Sequence, residues 1–229
     1  MALILQLETS TDVCSVALSK DGELIRCFET SESNSHTEKL TLLISQCMVE
    51  SGYKISQIDA VAVSDGPGSY TSLRVGVATS KGICYATGCP LITINSLNTL
   101  ARGIPKDQVH PKDYLIPMID ARRMEVYMAV YDNHCNLIVP TKAEILDGNS
   151  FSLYSESKSK IHLCGNGAQK WWDLYASDKF SMHHIRTSAE FMTFEAYSAY
   201  NEKRFSDLTD YTPNYFKSPN ITKSSKNLL

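Results

Sequence analysis

The stretch from Ile58 to Asn95 constrains this chain more than any other. IDAVAVS (58–64) is a compact apolar run, DGPGSYT (65–71) is a glycine-rich turn, a helical stretch follows from about Tyr70 to Thr87, and PLITIN (90–95) closes the unit. A strand, a helix and a strand of these lengths make a parallel pair with a right-handed crossover, since only a long connection returns the chain to where a parallel neighbour must start. With 229 residues, 43% of them hydrophobic and 21% charged, the chain can bury a sizeable core as one large domain or two small ones.

The flanking sequence extends that unit on both sides. LILQLETSTDVCSVALSKDGELIRCFET reads as three strands, with Asp21-Gly22 as a two-residue hairpin between SVALS and ELIRCF. In SHTEKLTLLISQCMVESG, Ser35 and Glu38 make a capping box, Leu40, Leu43, Ile44, Cys47 and Met48 share one helical face, and Gly52 stops the helix. Prolines and charge interrupt the pattern around ARGIPKDQVHPKD (101–113). A second series then begins: YLIPMID, MEVYMAVYD and NLIVP as a meander, KIHLC as a strand, helical AQKWWDLYAS, and a helix from about Ser188 to Arg204. Its element order weakly repeats the first half without detectable identity. The tail after Pro213 is polar and is expected to fray at its end.

Composition narrows the function. A net charge of −3 supplies no broad basic field for a nucleic-acid backbone, so RNA contact is expected to be local or shared with a partner. Seven cysteines with no CxxC pair, mostly inside apolar runs like those of Cys14, Cys84 and Cys164, read as reduced thiols rather than a disulfide framework or a zinc site. No signal peptide and no apolar run of roughly 18 residues stand in the sequence, which points to a cytoplasmic protein away from membranes.

The glycine-rich turn invites comparison with a phosphate loop. Pro67 has no N–H to donate, however, and the lysine of a Gly-Lys-Ser/Thr signature is missing, since Gly76 is followed by Val77. Pro67 and Gly68 suit the central positions of a type II turn, with Ser69 or Thr71 capping the helix. Along that helix Ser72, Gly76 and Ser80 recur every four residues, as do Ala78, Gly82 and Ala86, although each helical glycine costs roughly 1 kcal/mol relative to alanine. Small residues admit another backbone, so one stripe is expected against the sheet and the other against a helix of this chain or of a partner, with Leu73, Arg74 and Val77 flanking the first.

Other candidate chemistry is sparse. Glu8-Thr9-Ser10-Thr11 and Asp120-Ala121-Arg122-Arg123 end equivalent strands of the two halves. If the halves face each other, Glu8 and Asp120 look across one cleft, where two carboxylates suit Mg²⁺ or acid–base work and Arg122 or Arg123 a phosphate; a polar hairpin and a solvated rim are the plain alternatives. Cys164-Gly165-Asn166-Gly167-Ala168 offers bare backbone to a nucleotide's sugar or base, or is simply a tight turn. Of Trp171 and Trp172, one is expected in the core and one at the rim. His36 has Leu40 where a second ligand would stand, and His183-His184 point to opposite sides of a strand, so neither makes a metal pair. No Ser-His-Asp or Cys-His arrangement is visible.

Taken in order and spacing, LETSTDVCSVAL, SHTEKL, DGPGSYTSLRVG, MIDARRMEVY and CGNGA resemble the TsaB (YeaZ) family, bacterial proteins needed to make threonylcarbamoyladenosine (t6A) in tRNA. The likeness is strong over about residues 1–130 and loose beyond. It implies an α/β fold of the actin, sugar-kinase and Hsp70 type (ASKHA), two βββαβα subdomains around a cleft, here 1–104 and a shortened 105–229 with a polar tail. It also implies a noncatalytic accessory subunit that binds and activates TsaD, the transferase that moves threonylcarbamoyl from its adenylate to adenosine 37 of ANN-reading tRNAs. The ATPase TsaE joins that assembly, homodimers form, and tRNA is met only through the complex. The implied contact residues are His36 and Leu40 on the first helix and Ser72, Leu73, Arg74, Gly76, Val77 and Ser80 on the second.

Departures from the catalytic relatives support the accessory reading. Their His-x-x-x-His metal pair is here His36 and Leu40, Glu8 stands where catalytically active members of the superfamily carry Asp, Thr9 replaces the next small residue, and the glycine motif is reduced to Gly165–Ala168. No catalytic residue, resident cofactor or metal is therefore expected, and Glu8, Thr9, Asp120, Arg122, Gly165 and Gly167 remain as cleft candidates, with ATP or ADP and Mg²⁺ only at a shared subunit surface. The alternative is a stand-alone small kinase or ATPase using the Glu8 and Asp120 cleft. A protease reading lacks a nucleophile constellation.

Overall fold

A computed structural model describes residues 1–32, 36–155 and 159–217. Among the described residues, ten strands form two five-stranded mixed sheets of identical connectivity. The first holds β1 (Leu3–Glu8), β2 (Cys14–Lys20), β3 (Glu23–Thr30), β4 (Ala60–Gly66) and β5 (Leu91–Asn95) in the order β3-β2-β1-β4-β5. The second holds β6 (Tyr114–Asp120), β7 (Glu125–Tyr131), β8 (Leu137–Ile145), β9 (Ile161–Cys164) and β10 (Phe180–His183) in the order β8-β7-β6-β9-β10. The repeat expected from element order is thus a repeat of topology.

Local chemistry explains most of the first sheet. Asp21 (φ 53°) and Gly22 (φ 85°) are both left-handed, as a two-residue turn that matches strand twist requires. That turn sets the antiparallel register of β2 on β3, from Cys14 opposite Thr30 to Lys20 opposite Glu23. Helix α1 (His36–Ser51) buries Leu40, Ile44, Cys47 and Met48 in one core with Leu5, Leu7, Val16 and Val63, and Gly52 ends it at φ 74°. The Ser35 cap falls outside the described residues. Helix α2 (Tyr70–Thr87) joins β4 to β5, which pair in parallel from Val61 opposite Leu91 onward.

Two features depart from the expected halves. A short helix, α3 (Ser96–Arg102), begins directly after β5, where Asn95 Oδ1 accepts the Leu97 N–H at 3.0 Å. Its Leu97, Leu100 and Ala101 pack against Leu115, Ile119, Ala129 and Cys164 of the second sheet. Conversely, the helix expected from Ser188 to Arg204 is a 3₁₀ turn (Ala189–Met192) and α6 (Thr193–Asn201), and it covers the first sheet. Ala189, Met192, Ala196 and Ala199 meet Ala2, Ile4, Ala17, Ala60 and Ala62, and small side chains on both surfaces let helix and sheet approach closely. Burying Met192 alone removes roughly 1.5–3 kcal/mol of apolar exposure from water. A helix from each half thus covers the sheet of the other.

Through Lys217 the tail lies along the molecule as a strap, and the end expected to fray falls outside the described residues. The Ser206 N–H donates to Leu91 O at 2.8 Å, Lys81 Nζ donates to Thr209 O and Tyr211 O, and the Asn214 N–H and Nδ2 donate to Asp65 O and Oδ2 at 2.8 and 3.0 Å. Tyr215 then stacks on Tyr70 (centroids 4.5 Å apart), Phe216 meets Tyr127 of β7, and Lys217 pairs with Glu125. Among the described residues no helix is long and apolar enough to cross a membrane.

Candidate functional site

The end of β1 and the turn before α2 form one sealed unit. Glu8 is fully buried; its Oε1 accepts the Ser10 N–H at 2.7 Å, and its Oε2 has no hydrogen-bond partner among the described residues. Burial raises its pKa, against hydrogen bonds to Ser10, Ser64 and Thr9 that lower it. The Thr9 N–H donates to Ser64 Oγ at 3.1 Å, and the Ser69 N–H donates to Ser10 O at 2.7 Å. A Cβ on Gly68 would collide with that same Ser10 carbonyl, and one on Gly76 would collide with Thr9 Oγ1. The glycines of DGPGSYTSLRVG thus admit the β1–β2 turn, and the Ser69 amide that a phosphate would need is already bonded.

The expected type II turn is not formed. The left-handed residue is Gly66 (φ 107°), the Gly66–Pro67 bond is cis, and Gly68 is not at positive φ. Gly66 carries the bend because Asn214 O of the strap fills the side where its Cβ would stand.

The second sheet repeats this construction. Gly165 (φ 90°) leaves room for Met118 O, and a Cβ on Gly167 would stand 2.9 Å from the Ile119 carbonyl carbon. Asn166 Oδ1 accepts the Asp120 N–H at 2.9 Å. CGNGA is therefore a close-packed turn seated on β6, with its glycines facing protein backbone. Asp120 is exposed, pairs with Lys170 Nζ, and accepts the Arg122 N–H at 3.1 Å. Arg122 and Arg123 are exposed and left-handed, at φ 74° and 53°.

Glu8 and Asp120, expected to look across one cleft, do not line one cavity. Glu8 and Thr9 are buried, and Lys170 neutralises Asp120. A cavity of about 330 Å³ does lie between the sheets, but it is bordered by Thr11, Asp12, Gly165, His183, His184 and Arg186, among others, and not by Glu8, Asp120 or Arg122. Among the described residues, no three His, Cys, Asp or Glu side chains stand together to hold a metal ion.

One constellation, which reaches this cavity only through His183, is not visible in the sequence. His162 on β9 is 3.1 Å from Asp113 Oδ2 through Nε2 and 2.8 Å from His183 Nε2 through Nδ1. Burial opposes the charge on Asp113, but N–H donors from His110 and Lys160, with His162, outweigh it and lower its pKa. An ionised Asp113 can only accept, so His162 donates to it from Nε2. Burial together with His162 and His184 lowers the pKa of His183.

Helix α2 resolves the two small-residue stripes. Leu73, Gly76, Val77 and Ser80 are buried against the chain's own sheet, as are His36 and Leu40 of α1, so these six do not form an outward surface. Ser72 is half-buried and bonds Ser69 Oγ at 3.0 Å, while exposed Arg74 lies 4.2 Å from the Tyr70 ring and donates to the Tyr215 hydroxyl at 3.1 Å. The outward stripe is the other one, Ala78, Gly82 and Ala86, beside Tyr85 at 86% exposure. On α1, Leu42 and Val49 are 62% and 76% exposed.

Comparison with known proteins places this architecture. Residues 30–224 match the family model of TsaD, tRNA N6-adenosine threonylcarbamoyltransferase. The chain is 32% identical over 178 residues to the Escherichia coli tRNA threonylcarbamoyladenosine biosynthesis protein TsaB, covering 75% of this chain and 74% of that protein. The chain belongs to the TsaB (YeaZ) family. It is also 35% identical over 126 residues to Haemophilus influenzae TsaB, covering 55% of this chain and 52% of that protein, so the match spans about half of that relative. YeaZ from Pseudomonas aeruginosa superposes with a TM-score of 0.76 at 23% identity, over 94% of this chain and 100% of that one. The fold of this TsaB-family chain is of the actin, sugar-kinase and Hsp70 type, with two mixed sheets flanked by helices.

Proposed function

We propose that this TsaB-family chain is a noncatalytic accessory subunit that binds and activates a TsaD-type transferase for t6A formation on ANN-reading tRNAs. The observation that carries this reading is the split character of α2, with one small-residue stripe locked into the core and the other, beside Tyr85, facing solvent. A second helix face bearing Leu42 and Val49 accompanies it on α1. Apolar exposure of this kind on two adjacent helices suits a helix-to-helix contact with a related subunit, and a second copy of the chain would use the same face. A TsaE-type ATPase and any nucleotide with Mg²⁺ belong, in this reading, to the assembled complex, and tRNA is met through the partner. A kinase of its own is disfavoured, because Glu8 is sealed, Lys170 covers Asp120, and both glycine turns are filled by the chain's own backbone.

The test is t6A formation on an unmodified ANN-reading transcript with purified TsaD, TsaE and a threonylcarbamoyl-adenylate source. Product is expected only when the chain is added, and none from the chain alone; equal product without it would overturn the proposal. The surface is tested separately with Gly82→Trp, since among the described residues nothing lies within 4 Å of where a Cβ would stand. Pairing with TsaD is expected to disappear in sedimentation while circular dichroism stays that of the parent. Pairing that survives would move the contact off α2.

A further inference from the structure

We propose that Cys84 and Cys89 form an oxidisable dithiol, a modification site at the carboxyl end of α2 that closes to a disulfide when Cys89 meets a peroxide. The two sulfurs are 3.9 Å apart, in van der Waals contact. A disulfide bond is about 2.05 Å long, so closure asks for a shift of roughly 2 Å, shared between two side chains. The local backbone favours that shift. Thr87 is the last helical residue, Gly88 caps the helix in the left-handed conformation at φ 75°, and Cys89 lies beyond the helix's hydrogen-bond ladder.

The partners are unequal in the way a two-step oxidation requires. Cys84 is sealed in the core of the first sheet, whereas Cys89 is half-exposed. The Thr87 hydroxyl is 2.8 Å from Ile83 O and 3.1 Å from Cys89 Sγ, so its single proton can turn to a thiolate. Hydrogen bonding within the pair, with help from Thr87, lowers the Cys89 pKa despite burial, and the same shared proton and burial raise that of Cys84. Cys14, Cys27, Cys47, Cys135 and Cys164 all shift upward, with burial as the largest cause, and are poor nucleophiles by comparison.

The chemistry balances with peroxide as the two-electron oxidant. The Cys89 thiolate attacks one peroxide oxygen, the O–O bond breaks, and the departing hydroxide takes up a proton and leaves as water, giving Cys89 sulfenic acid. The Cys84 sulfur then attacks the sulfenic sulfur, forming S–S and releasing the hydroxyl as water with the Cys84 proton. Two thiols lose one electron each, and a reducing dithiol restores them by exchange. Such a reversible bond suits a reducing compartment, where disulfides are transient sensors rather than staples. The closed ring encloses Tyr85 and Ala86. On the pairing reading above, oxidation therefore alters the pairing face, but the bond itself is detected without any partner.

The full chain is reduced, treated with a small excess of hydrogen peroxide, alkylated and digested with trypsin. Peptide 82–102 holds both cysteines and no others. It is expected to escape alkylation, to lose two hydrogens in mass, and to recover fully with dithiothreitol. In Cys84→Ser a sulfenic acid trappable with dimedone is expected at Cys89, and in Cys89→Ser neither product. Before oxidation, native Cys89 should alkylate about tenfold faster than Cys27 or Cys135 at neutral pH. Two free thiols in peptide 82–102 after other cysteines have oxidised would overturn the proposal, as would oxidation of Cys89 to sulfinic acid with Cys84 untouched.

Discussion

The two sheets share one strand order but cover their outer faces by different means. Between β3 and β4 the first sheet spends the 16 residues of α1, and between β4 and β5 the 18 of α2. The corresponding helices of the second sheet are α4 (Ser152–Ser155), 4 residues, and α5 (Gln169–Tyr175), 7 residues. On these two short helices aromatic bulk replaces length. Phe151 packs edge-on against Trp171 with centroids 4.8 Å apart, and Trp171 meets Phe180 at 4.7 Å. Trp171 is buried and its Nε1 donates to Asp147 O, whereas Trp172 is only half-buried. The long helices leave an outward face over; the short ones leave none of comparable length. That difference is why the proposed pairing surface is placed on the first sheet.

The contrast breaks most sharply at Trp171. Trp171→Ala is expected to cost about 3–5 kcal/mol in urea unfolding, because one side chain does the covering that several share on α1. Leu174→Ala, on the same helix but 62% exposed, is the control and is expected to stay within about 0.5 kcal/mol. Similar values for the two would mean that α5 is held by something other than its aromatic core.

The stripes of α2 sharpen the same comparison within a single helix. Gly76→Ala drives a methyl into Thr9 Oγ1 and is expected to destabilise by about 1–3 kcal/mol. Gly82→Ala meets open space and is expected to stabilise by about 0.4–1 kcal/mol through the unfolded state. Equal effects would show that the inward stripe is not tightly seated. The same clash makes Gly76→Trp a folding mutation rather than a test of pairing.

These outcomes mark where sequence is informative. Strands, the Asp21-Gly22 hairpin and the extent of α2 follow from short-range signals, namely alternation, turn residues and helical periodicity. Periodicity also finds both small-residue stripes, but two stripes of equal spacing carry no sign for inward or outward, and it is Gly76 and Ser80 that lie buried while Ala78, Gly82 and Ala86 face out. The exchange of α3 and α6 is illegible because a helix's apolar face does not say which sheet it will meet. In α3, moreover, Asn95 is both the last residue of β5 and the cap, so no turn residues separate strand from helix. Asp113, His162 and His183 are brought together only by the register of β6, β9 and β10. Cys84 and Cys89, by contrast, flank a helix end in the sequence, and their meeting follows from Gly88 alone.

The last effect concerns the strap, which ties the first sheet to β7 through Asn214, Tyr215, Phe216 and Lys217. Its anchor, Asp65, is held at a pKa of about 7, chiefly by burial and further by the charge of Glu8, against a hydrogen bond from Asn214. A carboxyl whose folded pKa lies above its unfolded value binds its proton more tightly when folded. Its contribution is therefore complete below the unfolded pKa near 4 and is lost as pH rises through about 7. Stability is expected to fall across that window by up to about 1.4 kcal/mol per pH unit for this one group. Glu8 is raised in the same direction, so the parent's slope contains both. Asp65→Asn keeps the shape of the side chain and should remove one proton's share of the slope in urea midpoints measured between about pH 5 and pH 8. An unchanged slope would assign the titration to Glu8, and the strap would then hold by its aromatic contacts and the Asn214 backbone bond, indifferent to pH.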